Sequence, residues 1–338
     1  MAADTTTTEA PESSLTTLPL SKAITAGLRR AMEDDDKVVL IGEDIGKLGG
    51  VFRVTEGLQK DFGEARVIDA PLAESGIVGT SIGMAIRGYK PVIEIQFDAF
   101  IYPAYDQIVT QLAKLHNRTQ GHEQMPLVIR VPYGGGIGSP EHHSESPETV
   151  FAHHAGLRLI SPSTPHDAYW MIQEAVQSPD PVMFFEPKRR YWMRGEVDTA
   201  ERGLPHDRAQ VVTEGTDLTL LAYGPLMPTA KDVVAAAAEE GTSIELIDLR
   251  SLSPIDFDTI EASVRRTGRL VVAHEAPVFL GLGAEIAARI TERAFFHLEA
   301  PVLRVGGFHT PYPGSKLEHH YLPDLDRILD GVDRALAY

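Results

Sequence analysis

The chain of 338 residues contains no cysteine. That excludes disulfides, thiolate zinc sites, iron–sulfur clusters and cysteine nucleophiles. Basic residues are in the minority, 31 Lys and Arg against 48 Asp and Glu, for a formal charge of −17. Such a surface repels phosphate backbones and anionic lipid, so neither nucleic acid nor a membrane is expected as a partner, and a basic protein stays open. No apolar run approaches the ~20 residues of a membrane-spanning helix, and no short apolar stretch follows a basic N-terminus. Residues 1–17 are rich in Thr, include Glu9 and Glu12, and precede the first basic residue, Lys22. Transit peptides are Arg-rich and poor in acids, so the stretch reads as a disordered tail and the expected compartment is the cytoplasm. The phosphate-binding Gly-x-x-x-x-Gly-Lys is also absent, which removes the usual warrant for nucleotide hydrolases.

What is present is a rhythm. At about 150 residues per domain the length suggests two domains, enough to bury roughly 75% of the unfolded surface without staples. Short apolar runs recur at 38–41, 67–68, 92–97, 127–131, 157–160, 182–185, 218–222, 244–247, 270–273 and 302–305. Each is followed by a helix-length stretch, the pattern of repeated strand–helix units. Many runs are apolar at successive positions, as in strands covered on both faces, so mostly parallel sheets are expected. Between 187 and 216 the rhythm stops among Lys188, Arg189, Arg190, Pro205 and Gly215, which marks a linker. The expected organisation is a tail (1–17), a first α/β domain (18–186), the linker (187–216) and a second α/β domain (217–338).

Several segments carry candidate chemistry. Leu280-Gly281-Leu282-Gly283 lies too far beyond its strand for a dinucleotide fingerprint and is expected to be a helix-start loop. Gly76, Gly79 and Gly83 share one face of a helix over 75–87, where small residues permit close packing, here against a second subunit. Glu74 opens that helix. Its plain role is to complement the unpaired first-turn amides, and its sharper one is proton exchange with a bound heterocycle from an apolar wall. Gly134-Gly135-Gly136-Ile137-Gly138 precedes His142 and His143, a flexible loop beside a group that titrates near neutrality. Metal ligation by His142, His143, His153 and His154 is the less favoured alternative, because adjacent histidines on a loop do not easily face one ion.

The chain also contains Ile41-Gly42-Glu43-Asp44, Gly49-Gly50-Val51-Phe52, Asp69-Ala70-Pro71-Leu72-Ala73-Glu74 and Glu94-Ile95-Gln96-Phe97. Farther on come His143-Ser144-Glu145-Ser146-Pro147-Glu148, Phe184-Phe185-Glu186-Pro187-Lys188, Ile247-Asp248-Leu249-Arg250 and His274-Glu275-Ala276-Pro277. In this order they resemble the beta subunit of the thiamine-diphosphate-dependent decarboxylating component of 2-oxo acid dehydrogenase complexes. The His143, Phe184 and His274 phrases look most like the branched-chain (2-oxoisovalerate) enzyme, with the pyruvate and acetoin enzymes as alternatives. A non-catalytic docking subunit is the rival of another class.

The resemblance implies a pyrimidine-binding α/β domain followed by one like the transketolase C-terminal domain. It implies an alpha2beta2 heterotetramer, active only with the alpha subunit, in which alpha binds magnesium and the diphosphate through a Gly-Asp-Gly motif missing here. Glu74 matches the glutamate that hydrogen-bonds N1′ of the aminopyrimidine and so promotes loss of the C2 proton. His143 matches a histidine suited to proton transfer while the acyl group of a small-molecule 2-oxo acid passes to the lipoyl group of the transacylase. Leu72, Gln96 and Phe100 match cofactor-side positions. A structural potassium ion would lie among Leu127, Val128, Ala175, Ser178 and Asp180. His309 stands where many relatives carry Asp. The transacylase would dock on the C-terminal domain, with Glu275, Glu285, Glu318, Asp324 and Asp326 as acidic candidates.

Overall fold

The computed structural model describes residues 14–338. Its strands are β1 (Leu15–Pro19), β2 (Val38–Gly42), β3 (Val67–Asp69), β4 (Lys90–Glu94), β5 (Val128–Tyr133), β6 (Arg158–Ile160), β7 (Val182–Pro187), β8 (Arg194–Asp198), β9 (Gln210–Thr213), β10 (Leu218–Ala222), β11 (Ile244–Asp248), β12 (Ser251–Ser253), β13 (Leu270–Pro277) and β14 (Leu303–Gly307). Its helices are α1 (Leu20–Asp34), α2 (Leu58–Phe62), α3 (Glu74–Ile86), α4 (Ala113–Arg118), α5 (Glu148–Ala152), α6 (Pro165–Gln177), α7 (Met227–Glu239), α8 (Phe257–Thr267), α9 (Leu282–Ala294), α10 (Glu318–Tyr321) and α11 (Leu325–Leu336).

Each apolar run overlaps a strand. A seven-stranded sheet has the order β12-β6-β7-β5-β4-β2-β3, and a five-stranded sheet the order β14-β13-β10-β11-β9. All neighbours are parallel except β12 against β6 and β9 against β11. Strands β2, β5, β7, β10 and β11 are buried along their whole length because helices cover both faces. Helix α1 places Leu20, Ile24, Leu28 and Met32 on one buried stripe that packs against α6. Contact is so close that a Cβ at Gly27 would lie 2.6 Å from the Tyr169 carbonyl oxygen.

The strands without an apolar run, β1, β8, β9 and β12, are the antiparallel ones, and they lie at sheet margins. With a face or an end in solvent, they need no continuous apolar run. They correct two expectations. The tail over 1–17 falls partly outside the described residues, but its last part is ordered as β1, paired with β8 from Leu15↔Asp198 to Pro19↔Arg194. The linker over 187–216 contains β8 and β9, so it is woven into the fold rather than strung between domains. Arg250, 1% exposed, holds that crossover by donating to the carbonyls of Leu204, Pro205 and Arg208 while its Nη2 bonds Asp167 at 2.8 Å. Next to it, β12 leaves the second domain's sequence to join the first domain's sheet, Ser251 opposite Ile160.

Candidate active site

The carboxyl ends of β2 and β4 and the start of α3 converge. Ile77, Val78, Ile82 and Ala85 bury one face of α3, which turns Glu74 inward at its first turn. Glu74 and Glu43 are each 8% exposed. Asp44 adopts a left-handed backbone (φ 57°), bending the chain as it leaves β2. Burial, then the neighbouring charges of Glu74 and Asp44, raise the Glu43 carboxyl above its ordinary range despite the Ala73 amide. Oε1 of Glu43 is buried with no hydrogen-bond partner, so the pocket holds an unspent acceptor or donor. Gln96 reaches the Glu43 carbonyl and the Asp44 carboxylate, both at 3.4 Å.

After β4 the chain makes a 3-10 turn over Asp98–Ala104 that packs on α3 and carries Phe100. Phe97 and Phe100 form two walls for His143, with ring centroids 4.1 and 5.1 Å away. Burial, then the Lys188 charge, lowers the His143 pKa, which favours a neutral imidazole. Its Nδ1 is buried and unpartnered. The site thus presents two buried carboxyls and an imidazole, a set able to exchange protons with a heterocycle or an acyl-transfer partner.

A charged layer underlies these groups. Arg130 on β5 donates from Nε and Nη2 to Glu186 on β7 (2.7 and 3.0 Å) and from Nη1 to Glu94 on β4 (2.6 Å). Tyr191 adds a hydrogen bond to Glu186. The bidentate pairing fixes three neighbouring strands at the end that carries the site. Sequence reasoning assigned no role to Glu43, Glu94, Phe97, Asp98, Arg130 or Lys188. One signal was legible: Glu94 and Arg130 interrupt otherwise apolar strand runs, and a charge inside a buried strand demands a partner.

The remaining candidates are placed less uniformly. Leu72, expected beside the cofactor, is 80% exposed on this chain. Leu127, Val128, Ala175 and Ser178 are buried where β5 begins and α6 ends, and Ser178 Oγ donates to the Asp180 carbonyl at 2.9 Å. His153 and His154 lie just past the end of α5, and Nε2 of His154 is 2.6 Å from the Tyr105 hydroxyl. Gly281 and Gly283 do begin a helix, α9, and a Cβ at either would strike His274 at 2.7 or 2.8 Å. His309 stacks on Phe279 at 4.3 Å. Two acidic docking candidates need correction. Glu275 is 3% exposed, ion-paired with Arg189 and bonded by the Gly135 amide, and Glu318 is 9% exposed and bonded by the amides of Gly136 and Gly138. Both carboxylates are consumed inside the molecule.

Comparison with known proteins bears on this arrangement. Residues 16–193 match the transketolase pyrimidine-binding domain and residues 207–328 the transketolase C-terminal domain. The chain is 60% identical over 328 residues to the pyruvate dehydrogenase E1 component subunit beta of Leifsonia xyli subsp. xyli, covering 97% of each chain. It is 53% identical over 320 residues to the 3-methyl-2-oxobutanoate dehydrogenase subunit beta of Mycobacterium tuberculosis, covering 94% of this chain and 92% of that one. The higher of these identities is thus to a protein named for pyruvate, whereas the sequence phrases lean to the branched-chain enzyme. Among solved structures, a split-gene transketolase described as an inactive beta4 tetramer matches with a TM-score of 0.79 at 21% identity, covering 95% of this chain and 98% of that chain. That last likeness concerns the fold alone.

Proposed function

The chain belongs to the beta subunits of 2-oxo acid dehydrogenases, and on that premise we propose that it is half of a thiamine-diphosphate-dependent enzyme that decarboxylates branched-chain 2-oxo acids and passes the acyl group to a lipoyl transacylase. The observation that carries this reading is Glu74, buried at the start of α3 beside Glu43, whose Oε1 has no partner.

These residues suit the cofactor's aminopyrimidine. A ring nitrogen needs a buried carboxyl, its neighbouring groups need polar partners, and its faces need apolar walls. Glu74, Glu43, Gln96 and Phe100 are the residues that would hold it. When bound, thiamine diphosphate supplies the carbon nucleophile and the electron sink that release of carbon dioxide requires. Glu74 holds a proton at N1′ of the pyrimidine. Glu43, with its carboxyl pKa raised, limits the negative charge collected beside it. His143, between Phe97 and Phe100, is placed to take up a proton and give it to the lipoyl sulfur, and to keep water from the site.

An alpha subunit is part of the proposal. The chain has no Gly-Asp-Gly motif to hold magnesium and the diphosphate. The outer face of α3 is open: a Cβ at Gly83 would meet nothing within 4 Å, and Leu72, just before the helix, projects into solvent. A second chain packed there would cover Leu72, which fits its assignment to the cofactor side. For potassium, the carbonyls of Leu127, Ala175 and Asp180 each accept one hydrogen bond and keep a lone pair for an ion. For the transacylase, Glu285, Asp324 and Asp326 remain exposed on the second domain, and docking that is indifferent to salt would count against electrostatic recognition there.

The test is the reconstituted alpha–beta enzyme assayed with 3-methyl-2-oxobutanoate, pyruvate and acetoin. Preference for the first is the expected result. Preference for pyruvate supports the second reading, which the 60% identical relative favours. Absence of turnover with all three would leave a docking subunit.

A further inference from the structure

Residues 134–146 connect the end of β5 to the start of α5 and carry His143. Within the loop the Gly134 amide donates to the Glu145 carbonyl at 2.8 Å, the His143 amide to Pro140 at 2.9 Å, the Ser144 amide to Glu141 at 3.0 Å, and Ser144 Oγ to the Ser139 carbonyl at 3.2 Å. The first domain adds Asp98, which accepts the Glu145 amide, and Tyr102, whose hydroxyl donates to Glu145 at 3.0 Å. The amides of Gly135, Gly136 and Gly138 are held from the second domain. Oε1 of Glu318 accepts the Gly136 amide at 2.7 Å and Oε2 accepts the Gly138 amide at 3.1 Å, while the Tyr312 hydroxyl donates to Oε1 at 2.6 Å. Oε2 of Glu275 accepts the Gly135 amide at 3.1 Å.

We propose that Glu318 is a positioning residue, which holds the glycine loop through its amides and thereby keeps His143 between Phe97 and Phe100 for acyl transfer. The inference rests on the role given to His143 above. The geometry is specific on both sides. A Cβ at Gly135 would lie 1.9 Å from the Tyr312 hydroxyl, and Gly134, Gly136 and Gly138 have φ of 81°, 88° and 72°. Only glycine enters that backbone region at no cost, and only such a backbone turns these amides toward the second domain. Glu318 sits on α10, between β14 and α11, in a stretch whose buried apolar anchors are Tyr312, Tyr321 and Leu322. These three form a cluster separate from the main cores. A carboxylate bonded to two amides and a hydroxyl replaces the packing this segment lacks. Behind the contact lies a cavity of ≈ 210 Å³ bordered by Tyr102, Ser144, Glu145, Tyr312 and Tyr321, space into which a released loop can move.

The experiment uses the alpha–beta holoenzyme with a lipoyl domain as acceptor, and compares Glu318→Gln, Tyr312→Phe and His143→Ala with the wild type. Glu318→Gln trades a charged acceptor for a neutral amide, so peptides covering 134–146 should exchange hydrogen about tenfold faster. Acyl transfer to the lipoyl domain should fall by a larger factor than decarboxylation scored with an artificial oxidant. The basic limb of the acyl-transfer profile should also move to higher pH, because the donor is the protonated ring and its pKa rises as His143 leaves its aromatic walls and the Lys188 charge. Tyr312→Phe, which keeps the ring and the fold, should give a smaller change in the same direction. Equal loss of both activities with an unmoved pH profile, or unchanged exchange, overturns the proposal. Full acyl transfer by His143→Ala overturns the role of His143 instead, and exchange still decides whether Glu318 holds the loop.

Discussion

Lys188 donates from Nζ to Oδ1 of Asp98 across 2.7 Å, and neither side chain reaches solvent. Asp98 spends its other oxygen on the Glu145 amide, so one buried ion pair ties the end of β7, the turn after β4 and the His143 loop. Burial outweighs the lysine charge and leaves the Asp98 carboxyl pushed up to about 6, while burial lowers Lys188. Replacing Lys188 by Met strands a buried carboxylate and should cost about 3–5 kcal/mol at neutral pH. The double variant Asp98→Asn, Lys188→Met should recover most of that loss. Urea unfolding of the single and double variants checks the cycle, and a double variant no better than Lys188→Met would refute the pairing argument.

Glu74 is the chemical test of the site. In the reconstituted alpha–beta enzyme, Glu74→Ala should abolish decarboxylation while the assembly keeps its size. Turnover within a fewfold of wild type would sink the assignment, and light scattering with steady-state rates reads both quantities.

His274 predicts an acid-labile second domain. Its Nδ1 is 2.9 Å from the Ala276 carbonyl and its Nε2 accepts the Gly283 amide at 3.3 Å, a pattern that only the neutral ring satisfies. Burial lowers its pKa to about 4. Because the unfolded ring binds its proton nearer 6.5, this contribution is present above that value and is lost as pH falls toward 4, by about 3 kcal/mol. The unfolding free energy of wild type minus that of His274→Gln, measured from pH 7.5 to 4.5, should shrink with acid. A flat difference would exclude the neutral-ring account.

Glu148 behaves oppositely. It is fully buried on α5, accepts the Tyr223 hydroxyl at 2.8 Å from the end of β10, and leaves Oε2 unpartnered. Burial pushes its carboxyl up to about 7. The folded state therefore holds this proton more tightly than the unfolded one, so the contribution is full in acid and disappears as pH rises through 7. Glu148→Gln should lose stability relative to wild type near pH 5 and gain on it near pH 8, as thermal melts at the two pH values will show.

How much was legible follows from what each element needs. Strands with helices on both faces must be apolar at successive positions, so β2, β5, β7, β10 and β11 could be read directly. β1, β8, β9 and β12 are short, marginal and antiparallel, and their sequences satisfy a partner rather than a core. β12 is the sharpest example, because Ser251 belongs by position to the second domain and by hydrogen bonding to the first sheet. Glu74 and His143 stood out through the phrases around them, whereas Glu43 lay inside a quoted phrase with no role, since nothing local shows that its carboxyl will sit beside Glu74.

The sequence alone determined the two α/β domains, the family, the glutamate and histidine proposed for the chemistry, and the absence of thiol chemistry. Periodicity and motif are local properties, and a chain carries them wherever it folds. Tertiary structure decided that Glu275 and Glu318, which read as surface acids, turn inward to hold a glycine loop from the first domain. It likewise decided that Lys188 of the expected linker is buried against Asp98. A carboxylate or an ammonium is hydrophilic in any sequence window. Whether it faces water or a buried partner depends on which distant segment arrives with the complementary hydrogen bonds, and only the packed chain specifies that.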